Sequence, residues 1–189
     1  MKYVDGKYPT GRYFYIFEKA EKFDNSTGCC IVVTLKCEQR LCNELGAPKT
    51  VQITYKLSKY DLKFNVSWFE KDANRLTEAI YLHLYPQTNQ IMLKKLGGLI
   101  NPFDVVGMGA KKLHAVQSVQ FEKKGKTVNV YNLHSPLFSL GKGKILEFDD
   151  KYENPEKDGV SFVLYDNVWG TNFPLWYSEN ASFDFAISE

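Results

Sequence analysis

Apolar and polar residues alternate with a period of two along most of this chain. Val51, Ile53, Tyr55 and Leu57 alternate with Thr50, Gln52, Thr54 and Lys56. Leu62, Phe64, Val66 and Trp68 alternate with Lys63, Asn65 and Ser67. Successive side chains of a strand point to opposite faces, so each run predicts a half-buried strand. Ser58-Lys59-Tyr60-Asp61 separates the two, which predicts an antiparallel hairpin. The same alternation returns at Ile80, Leu82 and Leu84, at Val128 and Val130, at Val160, Phe162 and Leu164, and at Phe183, Phe185 and Ile187. Ile31 to Leu35 is a more continuous apolar run, broken only by Thr34, and suits a strand covered on both faces. A further strand is expected near Tyr13–Phe17.

Helical periodicity is scarce. Asp72 to Ala79 has room for about one helical turn and no amphipathic stretch follows it. Gly97 to Gly109 is rich in Gly, contains Pro102 and reads as a long loop. The acidic stretch from Asp149 to Gly159, with Pro155 inside it, is a second break. Many short strands and few helices predict an all-β fold, a single β-sandwich domain over residues 1–189.

Composition leaves that picture in place. The 189 residues suffice for one domain with a sizeable core. Aromatics are 15%, which favours strands. The net charge is +2 and the basic residues are dispersed, so no nucleic-acid footprint is visible. No apolar run is long enough for a membrane helix, and the first seven residues are too polar for a signal peptide. The expectation is a cytoplasmic protein if Met1 is the native start, and an open location if the chain is a piece of a longer one. Cys29, Cys30, Cys37 and Cys42 lack the Cys-x-x-Cys spacing of zinc and redox sites and read as reduced thiols.

Catalytic motifs are missing. There is no nucleophile elbow, phosphate loop, zinc-protease helix or dinucleotide fingerprint. His83, His114 and His134 lie far apart and read as structural. Glu147, Asp149, Asp150 and Glu153 lack the spacing of a calcium loop. No catalytic residue, metal ligand or cofactor is assigned to this chain.

The most distinctive stretch is Asp166-Asn167-Val168-Trp169-Gly170-Thr171-Asn172-Phe173-Pro174-Leu175-Trp176. Amides and a hydroxyl beside aromatic faces suit sugar hydroxyls and pyranose faces. The same residues suit a packed corner between strands, with the amides satisfying backbone groups. Both readings stay open for Asn167, Trp169, Thr171 and Asn172. Arg75 is either a sugar- or partner-facing cation or a buried charge paired with Glu78.

Five segments in order carry a family resemblance: Trp68-Phe69-Glu70-Lys71-Asp72-Ala73-Asn74-Arg75-Leu76, Asp104-Val105-Val106, Leu113-His114-Ala115-Val116, Ser135-Pro136-Leu137 and Asn167-Val168-Trp169-Gly170-Thr171-Asn172-Phe173-Pro174. Over roughly residues 46–185 the chain resembles the C-terminal β-sandwich region of glycoside hydrolase family 38-like bacterial proteins related to the α-mannosidases. Thr77 stands where the resemblance would place Pro. The resemblance implies an antiparallel supersandwich of the galactose mutarotase-like, α-mannosidase C-terminal type. It implies a separate catalytic barrel as partner, holding the zinc and the nucleophilic Asp, with this chain inactive alone. It places Asn167, Trp169, Thr171, Asn172 and Arg75 as one carbohydrate-binding wall. The alternatives are a free-standing carbohydrate-binding module using Trp169, Trp176 and Tyr177, and a structural interaction domain. The scaffold reading requires a broad apolar face left bare.

Overall fold

A computed structural model describes residues 11–26, 28–59, 61–105, 113–143, 151, 153–167 and 177–189. Its strands are β1 (Ile16–Asn25), β2 (Gly28–Lys36), β3 (Thr50–Leu57), β4 (Leu62–Phe69), β5 (Ala79–Leu84), β6 (Ile91–Lys95), β7 (Gly98–Ile100), β8 (Leu113–Ala115), β9 (Ser118–Lys123), β10 (Lys126–Asn132), β11 (Leu137–Leu140), β12 (Val160–Asp166) and β13 (Ala181–Ser188). Two short helices accompany them, α1 (Gln39–Leu45) and α2 (Pro155–Asp158), with a 3-10 turn at Pro102–Asp104. The fold is an all-β sandwich. Nine strands in the order β1-β2-β3-β4-β13-β10-β9-β6-β7 form one sheet, and β5-β12-β11-β8 form the other.

The pairing register assigns every side chain of the large sheet to a face. Leu35, Val33 and Ile31 on β2 stand opposite Val51, Ile53 and Tyr55 on β3. These in turn oppose Trp68, Val66 and Phe64 on β4, which oppose Ala181, Phe183 and Phe185 on β13. This face meets Phe138, Leu140, Val160, Phe162 and Leu164 of the small sheet to form the core. Phe185 stacks on Phe64 at 4.9 Å and meets Phe162 edge-on at 5.3 Å. The other face is polar. Asn65 Nδ2 donates to Ser182 Oγ and Asp184 Oδ1, both at 2.7 Å.

Four sheet strands cannot cover nine. Along one register row burial falls from Phe185 (1% exposed) and Phe64 (4%) to the half-buried Tyr55 and Ile31. Val33 and Leu62 are also half-buried, and Leu57 and Phe17 are exposed. All lie on the core-facing side, because Phe17 pairs with Leu35 and Leu57 pairs with Leu62. Among the described residues the apolar face therefore runs past its cover. Ile31 to Leu35 is expected to be covered on both faces, and the cover is partial: Thr34 is buried and the other four residues are half-buried.

Three further expectations are corrected. Asp72 to Ala79 contains no helix; Asn74 Oδ1 accepts from Leu76 N at 2.7 Å, a local bond that competes with helical pairing. The stretch from Gly97 is no long loop at its start. Leu96 and Gly97 take positive φ (46° and 87°) and close the β6–β7 hairpin. The strand expected near Tyr13–Phe17 spans Ile16–Asn25 instead. Helix α1 went unpredicted. Leu41, Cys42 and Leu45 at helical spacing, followed by Gly46, carry its signal. Gly46 has φ +67°, and Gly46 N and Ala47 N return to Cys42 O and Leu41 O.

Candidate functional site

One end of the sandwich is built around a buried ion pair. β4 ends at Phe69, Glu70 turns the chain with φ 55°, and Lys71 then points inward. Its side chain is fully buried. A lysine this deep needs acceptors for its three protons. Nζ donates to Glu78 Oε1 at 2.5 Å, to Gly46 O at 3.1 Å and to Asp72 O at 3.4 Å. It also lies 5.4 Å from the centre of the Tyr165 ring. Gly46 thus caps α1 with its N–H and receives Lys71 with its carbonyl.

Asn74 and Asn167 complete the arrangement. Asn74 Nδ2 donates to Leu45 O at 2.7 Å and to Glu78 Oε1 at 3.2 Å. Asn167 Oδ1 accepts from Glu78 N at 2.6 Å, and Nδ2 donates to Leu76 O at 2.8 Å. The Asn167 N–H reaches Glu78 O at 3.1 Å. Burial pushes the Glu78 carboxyl up, against the pull of Lys71 and Asn74. Burial likewise pushes Tyr165 up to about 12, with Glu78 adding to it.

Tyr165 links this centre to the other flank of the distinctive stretch. It stacks on Tyr177 at 5.4 Å and meets Trp68 edge-on at 6.5 Å. Trp68 Nε1 donates to Glu179 O at 3.1 Å. Asn167 and Tyr177 therefore dock on the same centre from either side of the segment 168–176.

The Asn167 amide is engaged by the backbone of Glu78 and Leu76, which is the arrangement of the corner reading, one of the two left open for it. Arg75 does not pair with Glu78 as a buried charge: Arg75 is exposed, and Lys71 holds Glu78. Trp169, Thr171, Asn172 and Trp176 lie outside the described residues, as do Glu147, Asp149 and Asp150. Sequence reasoning missed Lys71. The nearest signal is its place directly after a strongly alternating strand, on a turn leading to Glu78.

Chemically, the centre is a clamp. Three acceptors around Lys71 Nζ occupy the hydrogen-bonding capacity of an ammonium. The Ser161–His83 contact is similarly structural. Ser161 is fully buried and gives its proton to Gly141 O at 2.9 Å, so the 2.8 Å contact to His83 Nδ1 uses the proton on the ring. Among the described residues no three His, Cys, Asp or Glu side chains form a metal-binding group. The four cysteines are unbridged. No helix among the described residues is long and apolar enough to cross a membrane.

A shallow depression of about 300 Å3 lies beside β6 and β9, lined by Asn89, Gln90, Met92, Asn101, Phe103 and Gln120 among others. Asn101 caps the 3-10 turn there, accepting from Phe103 N at 3.0 Å. Among the described residues, fold and site together define a β-sandwich with one clamped, polar end and one apolar face that is only partly covered. No protein-family model matches the chain, and comparison with curated proteins returns no relative.

Proposed function

We propose that this chain is the C-terminal β-sandwich region of a glycoside hydrolase family 38-like protein, of the antiparallel supersandwich type. Its work is to support a separate catalytic barrel, and it has no glycosidase activity alone. Zinc and the nucleophilic carboxylate belong to that barrel. The observation that carries this reading is the apolar face of β1–β3. Phe17, Ile31, Val33, Tyr55, Leu57 and Leu62 share one side of the sheet and extend beyond the small sheet. A contiguous apolar patch rimmed by polar residues is the signature of an interaction surface. The largely apolar Ile31–Leu35 fits the same reading, because a strand of that composition is fully covered once a partner sits on it. The clamp holds Asn167 and Tyr177 at one corner, so the stretch between them can form one wall of the barrel's carbohydrate site with Trp169, Thr171 and Asn172.

The test is association of this chain with the separately produced barrel. Saturable binding is expected, and Val33→Asp should abolish it while leaving the chain folded. Absence of binding at tens of micromolar would count against the proposal.

A second reading, a free-standing carbohydrate-binding module, draws support from the amide-lined depression beside Phe103. Titration with mannosides and other sugars, read by Trp fluorescence, separates the two. A saturable change in the isolated chain at millimolar sugar would favour the module.

A further inference from the structure

Strand β1 is the outermost strand of the nine-stranded sheet, and no strand among the described residues pairs with its outer edge. Edge strands of this length are normally covered or disrupted, because their free N–H and C=O groups recruit another strand. From residue 17 to residue 23 β1 reads Phe-Glu-Lys-Ala-Glu-Lys-Phe. Read backwards about Ala20, each acid falls on a base and each Phe on a Phe.

That symmetry has a structural meaning. Two antiparallel strands in one sheet can be related by a two-fold axis only if the axis is normal to the sheet. Side chains keep their face under that rotation, so the axis must pass through a residue and paired residues must have numbers of equal parity. With the axis at Ala20, Lys19 faces Glu21 of the second copy and the small Ala20 side chains meet at the centre, while the bulge at Glu18 ends the regular ladder before Lys22. The converse Glu21–Lys19 pair follows by symmetry. The adjacent symmetric registers fail: an axis at Lys19 sets lysine against lysine, and an axis at Glu21 sets Glu21 against itself. Like charges directly opposite are destabilising, and opposite charges stabilise.

We infer that β1 pairs edge to edge with β1 of a second copy of this chain, in the register centred on Ala20, joining two nine-stranded sheets. Charge complementarity selects the occupant. The side chains are free to re-pair, because their present partners are surface ones: Lys19 with Glu21 at 2.8 Å, Lys22 with Asp24 at 2.9 Å and Lys36 with Glu18 at 2.5 Å. Phe17 and Phe23, 62% and 54% exposed, lie beyond the paired segment on opposite faces of the sheet, because the bulge resets the alternation. The β-bulge between Phe17 and Lys19 limits the regular ladder on each side. An axis normal to the sheet leaves both bare apolar faces of the dimer on the same side, open to other partners. The inference is independent of the proposal for that face.

The test is sedimentation equilibrium of the whole chain up to about 200 µM at low and high salt, a range that spans ordinary self-association constants. The expected result is a concentration-dependent mass of twice 21.8 kDa, weakened by salt. Lys19→Glu sets carboxylate against carboxylate at two symmetry-related positions and should weaken association by about tenfold or more. Lys19→Glu combined with Glu21→Lys swaps the charges and should restore it. A monomer at every concentration overturns the inference. So does a dimer that Lys19→Glu leaves unmoved, or a double variant with an unchanged circular dichroism spectrum that stays monomeric.

Discussion

Lys71 Nζ and Glu78 Oε1 stand 2.5 Å apart, the lysine side chain wholly buried and the glutamate side chain 18% exposed. The pair joins the end of β4 to the start of β5, and the other acceptors of Lys71 tie in the cap of α1. A single ammonium thus fixes the relative positions of three chain segments.

Removing the cation should therefore be costly. Lys71→Met leaves a buried carboxylate and backbone carbonyls unpaired, and a loss of about 3–5 kcal/mol is expected in urea unfolding. Lys71→Met with Glu78→Leu should recover much of that loss, because no charge is left stranded. The single variant also has a pH signature. Its Glu78 carboxyl, already raised by burial, rises further without the ammonium. A folded pKa above the unfolded one means a penalty that grows as pH rises from the unfolded value through the folded one. The deficit of Lys71→Met should shrink as the solution is acidified toward pH 4.

Asn167→Ala removes an acceptor from Glu78 N and a donor to Leu76 O. Each lost partner leaves a part-buried backbone group unpaired, so a loss of about 1–3 kcal/mol is expected. Asn167→Asp retains the acceptor but sets a carboxylate oxygen against Leu76 O, acceptor against acceptor, and should lose at least as much. Thermal unfolding of the two variants checks this order.

Gly46→Ala tests the same corner from the helix side. The position has φ +67°, and an added Cβ would lie 2.6 Å from Asn74 Nδ2 and 2.8 Å from Asp72 O. Backbone strain and the displaced Asn74 together should cost about 1–3 kcal/mol. If the melting temperature of Gly46→Ala matches the parent, the corner is looser than described.

His83 supplies a pH dependence of opposite sign to that of Glu78. Burial lowers its pKa, and the nearby Arg12 guanidinium lowers it further. The unfolded chain then takes up the proton first. Stability contributed by neutral His83 is complete above the ordinary histidine value and is lost as pH falls below it toward the folded value. His83→Asn keeps a donor for Ser161 and should flatten the stability profile between about pH 7 and 5. Urea midpoints of both proteins across that range provide the measurement.

Much of this architecture was legible in the sequence. The Val51–Leu57 and Leu62–Trp68 alternations became β3 and β4 to within a residue, because each strand has one face in the core and one in solvent. The alternations at Ile80, Val160 and Phe183 became β5, β12 and β13, although β12 has both faces buried, Ser161 and Val163 included. β1 was misplaced since both of its faces are wet, which leaves its charged run without a period. Helix α1 was missed because seven residues give barely two turns of pattern. The clamp was hidden by residue type: a lysine reads as surface until three acceptors around it explain its burial. Asn167 read equally as a corner or a sugar-binding residue, because its partners Glu78 and Leu76 lie about ninety positions away.

The claim that a catalytic domain covers the apolar face of β1–β3 is tested most directly by oxidative footprinting. Side-chain labelling of Phe17, Val33, Tyr55 and Leu57 would be compared between the isolated chain and the native polypeptide or assembly recovered from its source cells. The account predicts strong labelling of all four in the isolated chain. In the native form it predicts protection of about tenfold or more, the level that accompanies full burial in an interface core. Equal labelling in both forms would contradict it.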